Sequence, residues 1–213
     1  MKKIAILISI PVFWFNCTIA QKPAIILSEK DRYSLLRKEP DEMGIDTLRA
    51  VMLYQINFLR EQENSITKKE NAELFKNHKP LKPILKPLQL YEPLNKVAMK
   101  FIKYGNEHGN FDTNEGDKHF SPDAHLSEDG KTVSDRVTEA GIKFNKHVVY
   151  NHSINGVSEN LVGSNGDILS LMDALMHSPG HRKNLLSPYF CFVGIGYYIG
   201  SKVVVQVFIA ELE

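Results

Sequence analysis

The strongest periodicities lie in the second half of the chain. Leu94, Val97, Ala98, Phe101 and Ile102 recur at i, i+3, i+4, i+7 and i+8, the stripe of a helix with one buried face. This helix is expected to start near Pro93 and to end between Gly105 and Gly109. From Asp167 to His177, Ile168, Leu171, Met172, Leu175 and Met176 draw a second such stripe. An earlier helix is predicted from Asp46, with Leu48, Met52, Ile56 and Leu59 on one side. A shorter one is expected over Val133 to Ala140, stopped by Gly141. The pattern changes at Phe190. Phe190 to Ile199 and Lys202 to Glu211 are nearly continuous in apolar residues, and Gly200-Ser201 between them signals a two-residue hairpin. Strands apolar on both faces belong to a sheet covered on both sides. The fold class that follows is α+β, with helices flanking a small, mainly antiparallel central sheet that ends in a C-terminal β-hairpin.

The remaining segments are less patterned. A short strand is expected around Lys146 to Tyr150. Residues 21–45 read as an N-terminal extension that either packs on the domain or stays mobile. Residues 61–87 are polar and Lys-rich and end in Lys-Pro-Leu-Lys-Pro-Ile-Leu-Lys-Pro. They read as a surface connection, extended near its prolines. Its charges form a solvated face or a docking face for an anionic surface.

The start of the chain changes the setting. Met1-Lys2-Lys3, a mostly apolar run from Ile4 to Phe15 and a small-residue end at Ala20 make a secretory signal peptide over residues 1–20. The run is too short to span a bilayer comfortably, and the mature chain is expected to have no transmembrane span. Lipid attachment at Cys17 is the rival, disfavoured by Phe15 and Asn16 before it. Secretion, extracellular or periplasmic, is the expected location. About 190 residues then remain, enough for one domain with a real core. The chain carries 26 Lys and Arg against 25 Asp and Glu. Losing Lys2 and Lys3 leaves a charge near zero, which argues against a nucleic-acid partner. If Cys17 leaves with the leader, Cys191 is the only thiol and reads as a small buried hydrophobe.

Candidate chemistry concentrates in histidines, seven of which lie between His108 and His181. The segment His177-Ser178-Pro179-Gly180-His181-Arg182-Lys183-Asn184 reads as a helix start. Ser178 is placed to cap it and Pro179 suits its first position. His181 then sits in the first turn, where the helix dipole disfavours the protonated imidazole. A neutral imidazole there is a metal ligand or a proton acceptor. No His-Glu-x-x-His, Gly-x-Ser-x-Gly or phosphate-cradling glycine loop occurs.

The run Ala174 to Pro188 resembles the signature of bacterial CAP-domain (SCP-domain) proteins, the superfamily of cysteine-rich secretory proteins, antigen 5 and pathogenesis-related 1 proteins. Phe192-Val193-Gly194-Ile195-Gly196-Tyr197 resembles the glycine-containing strand that follows, and Ser158-Glu159-Asn160-Leu161 the family's Gly-Glu-Asn motif. His125, Gly130 and Arg136 match a His-x4-Gly-x5-Arg spacing. Gln55 to Arg60 and Lys86-Pro87-Leu88 resemble the first helix and the Pro-Leu after it. The resemblance covers residues 46–213 as one CAP domain. It implies a three-layer α-β-α sandwich with a shallow cleft lined by His125, Glu159 and His181.

The departures bear on the site. Leu175 stands at the family's usual Trp, Ser158 at its usual Gly, and Pro122-Asp123-Ala124 precedes His125. His119 rivals His125 as the first histidine, but His125 has the right downstream spacing. The second acidic residue of the fuller family site has no match. Asp167 and Asp173 lie near, and the aligned position is Ser170. Two imidazoles, His125 and His181, would hold zinc or another divalent cation with a position left open. The favoured reading is a secreted binding or interaction module for a lipid-like, peptide or cell-envelope ligand. The alternatives are a metal-dependent hydrolase or peptidase using His125, Glu159 and His181, and an envelope-associated structural protein resting on the lysine-rich connection.

Overall fold

The computed structural model describes residues 28–109, 111, 122–127, 130–145, 149–150, 153–154, 156–163, 166–199 and 203–213. The leader, Cys17, His119 and the Gly200-Ser201 turn lie outside them. Six helices are described: α1 (Glu29–Leu36), α2 (Ile45–Lys76), α3 (Glu92–Glu107), α4 (Val133–Glu139), α5 (Ile168–His177) and α6 (Pro179–Leu185). The strands are β1 (Gln89–Leu90), β2 (Val149–Tyr150), β3 (Ser153–Ile154), β4 (Val157–Gly163), β5 (Phe192–Tyr197) and β6 (Val203–Ile209). The central sheet has the order β1-β5-β6-β4, with only the β1–β5 pair parallel. The expected α+β class and mainly antiparallel sheet are therefore observed, and β2 with β3 forms a separate small hairpin.

The surroundings of β6 explain why it is apolar at every position but Gln206. Val204 and Phe208 face a core built with α1, α2, α5 and α6, while Val203, Val205, Val207 and Ile209 face one built with α3 and α4. Successive side chains of a strand point to opposite faces, so a sheet with helices on both sides needs both sets apolar. On the second side α3 lies directly against β5. Gly194 faces the Leu94 backbone and Gly196 the Ala98 backbone. Asn95 Oδ1 accepts the Ile195 N–H at 2.9 Å, fixing the register of helix on strand.

The described part of the N-terminal extension, residues 28–45, is structured and packs on the domain. Leu36 of α1 is buried, and the Tyr197 hydroxyl donates to Asp41 Oδ1 at 2.6 Å. Cys191 is buried in the core built with α3 and α4.

The largest departure from expectation is α2. It was expected to stop before residue 61, and it runs unbroken for 32 residues to Lys76. The chain then returns antiparallel along it as an extended strap. Asn57, Asn64 and Asn71 each pair twice with the strap backbone. Asn57 bonds both backbone groups of Leu88 at 2.7 and 3.0 Å, Asn64 those of Leu85 at 2.7 and 2.8 Å, and Asn71 those of Lys82 at 2.8 and 2.9 Å. The asparagines repeat every seven helical residues and their partners every three strap residues. Seven helical residues advance about 10.5 Å and three residues of proline-type extended backbone about 9.3 Å, so the two spacings nearly coincide. Arg60 anchors the base of this pair, donating to the carbonyls of Lys86 (2.8 Å), Leu185 (2.7 Å) and Ser187 (3.0 Å). Burial pulls its guanidinium down to about 10. It stays charged at neutral pH and is met by carbonyl dipoles instead of a carboxylate.

Asp167 caps α5, accepting from the Ser170 hydroxyl at 2.7 Å and the Ser170 N–H at 2.8 Å. These bonds, the hydroxyl first, hold its carboxyl below the ordinary value. The capping contribution is therefore complete above about pH 4 and is lost as pH falls through the lower folded value. Asparagine caps as well as aspartate. Asp167→Asn should thus match the wild type at neutral pH and show a smaller loss of stability on acidification, read from urea midpoints at the two pH values.

Candidate functional site

The site is assembled around Glu159 in β4, whose side chain is only 3% exposed. A buried carboxylate needs partners for both oxygens, and it has them. Oε1 lies 3.0 Å from His125 Nδ1, and Oε2 accepts from Arg136 Nη2 at 2.5 Å. His125 closes the turn Pro122–His125 just before α4. Arg136 comes from α4, which a Thr132–Asp135 capping box starts. Arg136 Nη1 also donates to the His125 carbonyl at 2.9 Å and the Lys131 carbonyl at 3.1 Å. One guanidinium thus holds both the backbone of His125 and the carboxylate that meets its ring. The guanidinium lies over the Phe101 ring, 3.7 Å from its centroid. The buried Arg136 Nε has no hydrogen-bond partner among the described residues.

This geometry assigns the histidine tautomer. A carboxylate accepts, so His125 Nδ1 carries a proton toward Glu159 Oε1, and Nε2 is an acceptor whenever the ring is neutral. The His125 side chain is 39% exposed, which leaves the ring open to a ligand. A histidine oriented by a carboxylate through one nitrogen and free at the other is the arrangement of a metal ligand, a base or a hydrogen-bond acceptor for a bound molecule.

His181 reaches the same segment through its backbone. Its carbonyl accepts from Asn160 Nδ2 at 3.3 Å. Asn184, on the same helix α6, donates to Asn160 Oδ1 at 2.8 Å and to the Glu159 carbonyl at 3.3 Å. Asn160 Nδ2 also meets Gln206 Oε1 at 3.1 Å. Buried amides therefore seat α6 on β4 and β6, placing His181 beside the strand that carries Glu159. Ser178 makes no side-chain cap to α6; only its carbonyl takes part, accepting from the Arg182 N–H at 2.8 Å. His177 turns away and contacts Asp173 on an exposed surface. Asp167 and Ser170 are occupied with each other at the start of α5.

The donor set argues against reading Glu159 as a metal ligand, because both its oxygens are engaged. Among the described residues no three His, Cys, Asp or Glu side chains are gathered to hold an ion. His125 and His181 alone fall short of the three protein ligands usual at a catalytic zinc. Sequence reasoning named Arg136 for its spacing but not as the partner of Glu159, named Asn160 and Asn184 within motifs but gave them no role, and missed Gln206. The one available signal was Gln206, a lone amide in an otherwise apolar strand.

The sequence profile of the cysteine-rich secretory protein family (CAP) matches residues 82–210. No curated protein matches significantly. Among solved structures, an extracellular protein containing an SCP domain from Bacillus anthracis is 23% identical, over 79% of this chain and 44% of that one, with a TM-score of 0.49. A cysteine-rich secretory protein from Staphylococcus aureus is 14% identical, over 75% and 38%, with a TM-score of 0.45. This chain therefore spans less than half the length of either. An outer surface protein from Borrelia burgdorferi is 17% identical, over 80% and 97%, with a TM-score of 0.51, and shares the fold.

Proposed function

Because this chain belongs to the cysteine-rich secretory protein (CAP) family, we propose that it is an exported binding module whose cleft presents His125 to a small lipid-like or peptide ligand. The carrying observation is the division of Glu159 between His125 and Arg136. The carboxylate is committed to bracing and its charge is offset by a guanidinium, so it is not free to activate water. What His125 offers is a ring held through Nδ1 by Glu159, its side chain 39% exposed, whose Nε2 accepts whenever the ring is neutral. That is a polar anchor for a donor on a ligand. Export is supported by the basic-apolar leader and by relatives described as extracellular and outer-surface proteins. Among the described residues no helix is long and apolar enough to cross a membrane. A hydrolase reading has less support, since it needs Glu159 or a metal to supply the base.

The test is calorimetric titration of the exported protein with fatty acids, sterols, cell-wall peptide fragments and zinc, beside His125→Phe. One class is expected to bind saturably, with affinity reduced on the order of tenfold by the loss of one buried polar contact. No saturable binding by any class, or equal binding by the variant, sinks the proposal.

A further inference from the structure

The end of α2 and the strap form an arm that stands off the body. Every residue from 68 to 84 is exposed or half-buried, whereas Thr67 and Leu85 at its base are buried. An arm of this kind would normally be polar. This one leaves Phe75 74% exposed and Leu81 56% exposed on the two sides of its turn, with Ile66 at 54% and Ile84 at 45% further back. Between Phe75 and Leu81 stand Lys76, His78 and Lys79. Residues 68–86 hold six lysines against two glutamates, in a chain whose whole formal charge is +1. The pairs Lys68–Glu61, Lys76–Glu73 and Lys82–Glu70 join side chains that are all largely exposed, so they hold the lysines only weakly.

The tip is also preformed. His78 adopts φ 52°, and the Lys79 N–H reaches the Leu74 carbonyl at 2.9 Å while the His78 N–H reaches the Phe75 carbonyl at 3.1 Å. This reciprocal closure satisfies the last helix carbonyls. With the asparagine ladder behind it, the tip can meet a surface without paying to become ordered. Apolar side chains rising from among lysines, on a rigid projection, are the composition of an interfacial membrane anchor: the apolar groups enter the headgroup boundary and the ammonium groups meet anionic lipid.

We propose that the arm tip, Phe75 to Leu81, docks the protein peripherally on an anionic lipid bilayer.

Each lysine brought to such a surface strengthens attachment about fivefold. The experiment is flotation of the exported protein with phosphatidylcholine vesicles, with and without added phosphatidylglycerol, at low and high salt. Binding is expected only with phosphatidylglycerol and should weaken at high salt. Phe75→Ser/Leu81→Ser should reduce it on the order of tenfold, and Lys76→Glu/Lys79→Glu by at least about 25-fold, fivefold for each lysine lost. These side chains are exposed, so both variants should melt with the wild type. His125→Phe should float unchanged, which separates this proposal from the cleft. No binding to anionic vesicles, or binding that both arm variants retain in full, overturns it. So does salt-sensitive binding to polyglutamate without binding to vesicles, which would make an acidic polypeptide the partner.

Discussion

Glu159→Ala should destabilise the domain by about 3–5 kcal/mol, the usual effect of removing one partner from a buried ion pair. For a domain of this size that is a fall in melting temperature of roughly 10 °C. The loss has two parts. Arg136 keeps its charge in a site where its side chain is 8% exposed, now with only the His125 and Lys131 carbonyls as acceptors. The ring of His125 also loses the acceptor that fixes its tautomer. The two parts separate experimentally. Arg136→Met removes the stranded charge, so the double variant should be more stable than Glu159→Ala alone. That non-additivity, measured by urea denaturation, is the signature of a coupled pair. Glu159→Gln should fall between, because its amide keeps one acceptor for the guanidinium. Strictly additive effects of the two single substitutions would remove Arg136 from the account of the site.

Gly194→Ala should be nearly as severe for an unrelated reason. A Cβ at residue 194 would overlap the backbone carbonyl carbon and the Cβ of Leu94, and one at residue 196 would come within 2.6 Å of the Ala98 carbonyl carbon. Flexible side chains can step aside; the backbone of a 16-residue helix moves only as a body. Overpacking a core usually costs about 1–3 kcal/mol, and here the upper end is expected because α3 must lift from the sheet and loosen the Asn95–Ile195 bond. Gly44→Ala is the control, since nothing lies within 4 Å of the Cβ it would add. A Gly194→Ala protein that melts with the wild type would mean that α3 sits further from β5 than described.

These two sites differ in how far the sequence disclosed them. The stripes of α3 and α5 and the runs of β5 and β6 were legible because apolar periodicity records which faces are buried. Gly194 and Gly196 stood out within an apolar strand, though their role depends on α3 lying across them. Glu159, His125 and Arg136 were each found by motif and spacing. Their pairing was not, because it joins β4 to a turn and a helix that precede it by more than twenty residues. α2 was cut short for a related reason. Beyond residue 61 its partner is the strap's backbone, and backbone leaves no hydrophobic stripe on the helix it meets. Its trace is a heptad of asparagines, which a search for apolar faces passes over.

That heptad carries an arithmetic of its own. The partners in successive rungs are 31, 21 and 11 residues apart in the chain. Each rung consumes ten residues, seven from the helix and three from the strap, so a fourth would join His78 to Lys79, neighbours in the turn itself. The arm is therefore as long as three rungs allow, and its reach is quantised. Adding seven helical residues with an asparagine, together with three strap residues, would extend it by one step of about 10 Å with every existing pairing preserved. An insertion into the rails that is not a whole number of such steps would throw them out of phase.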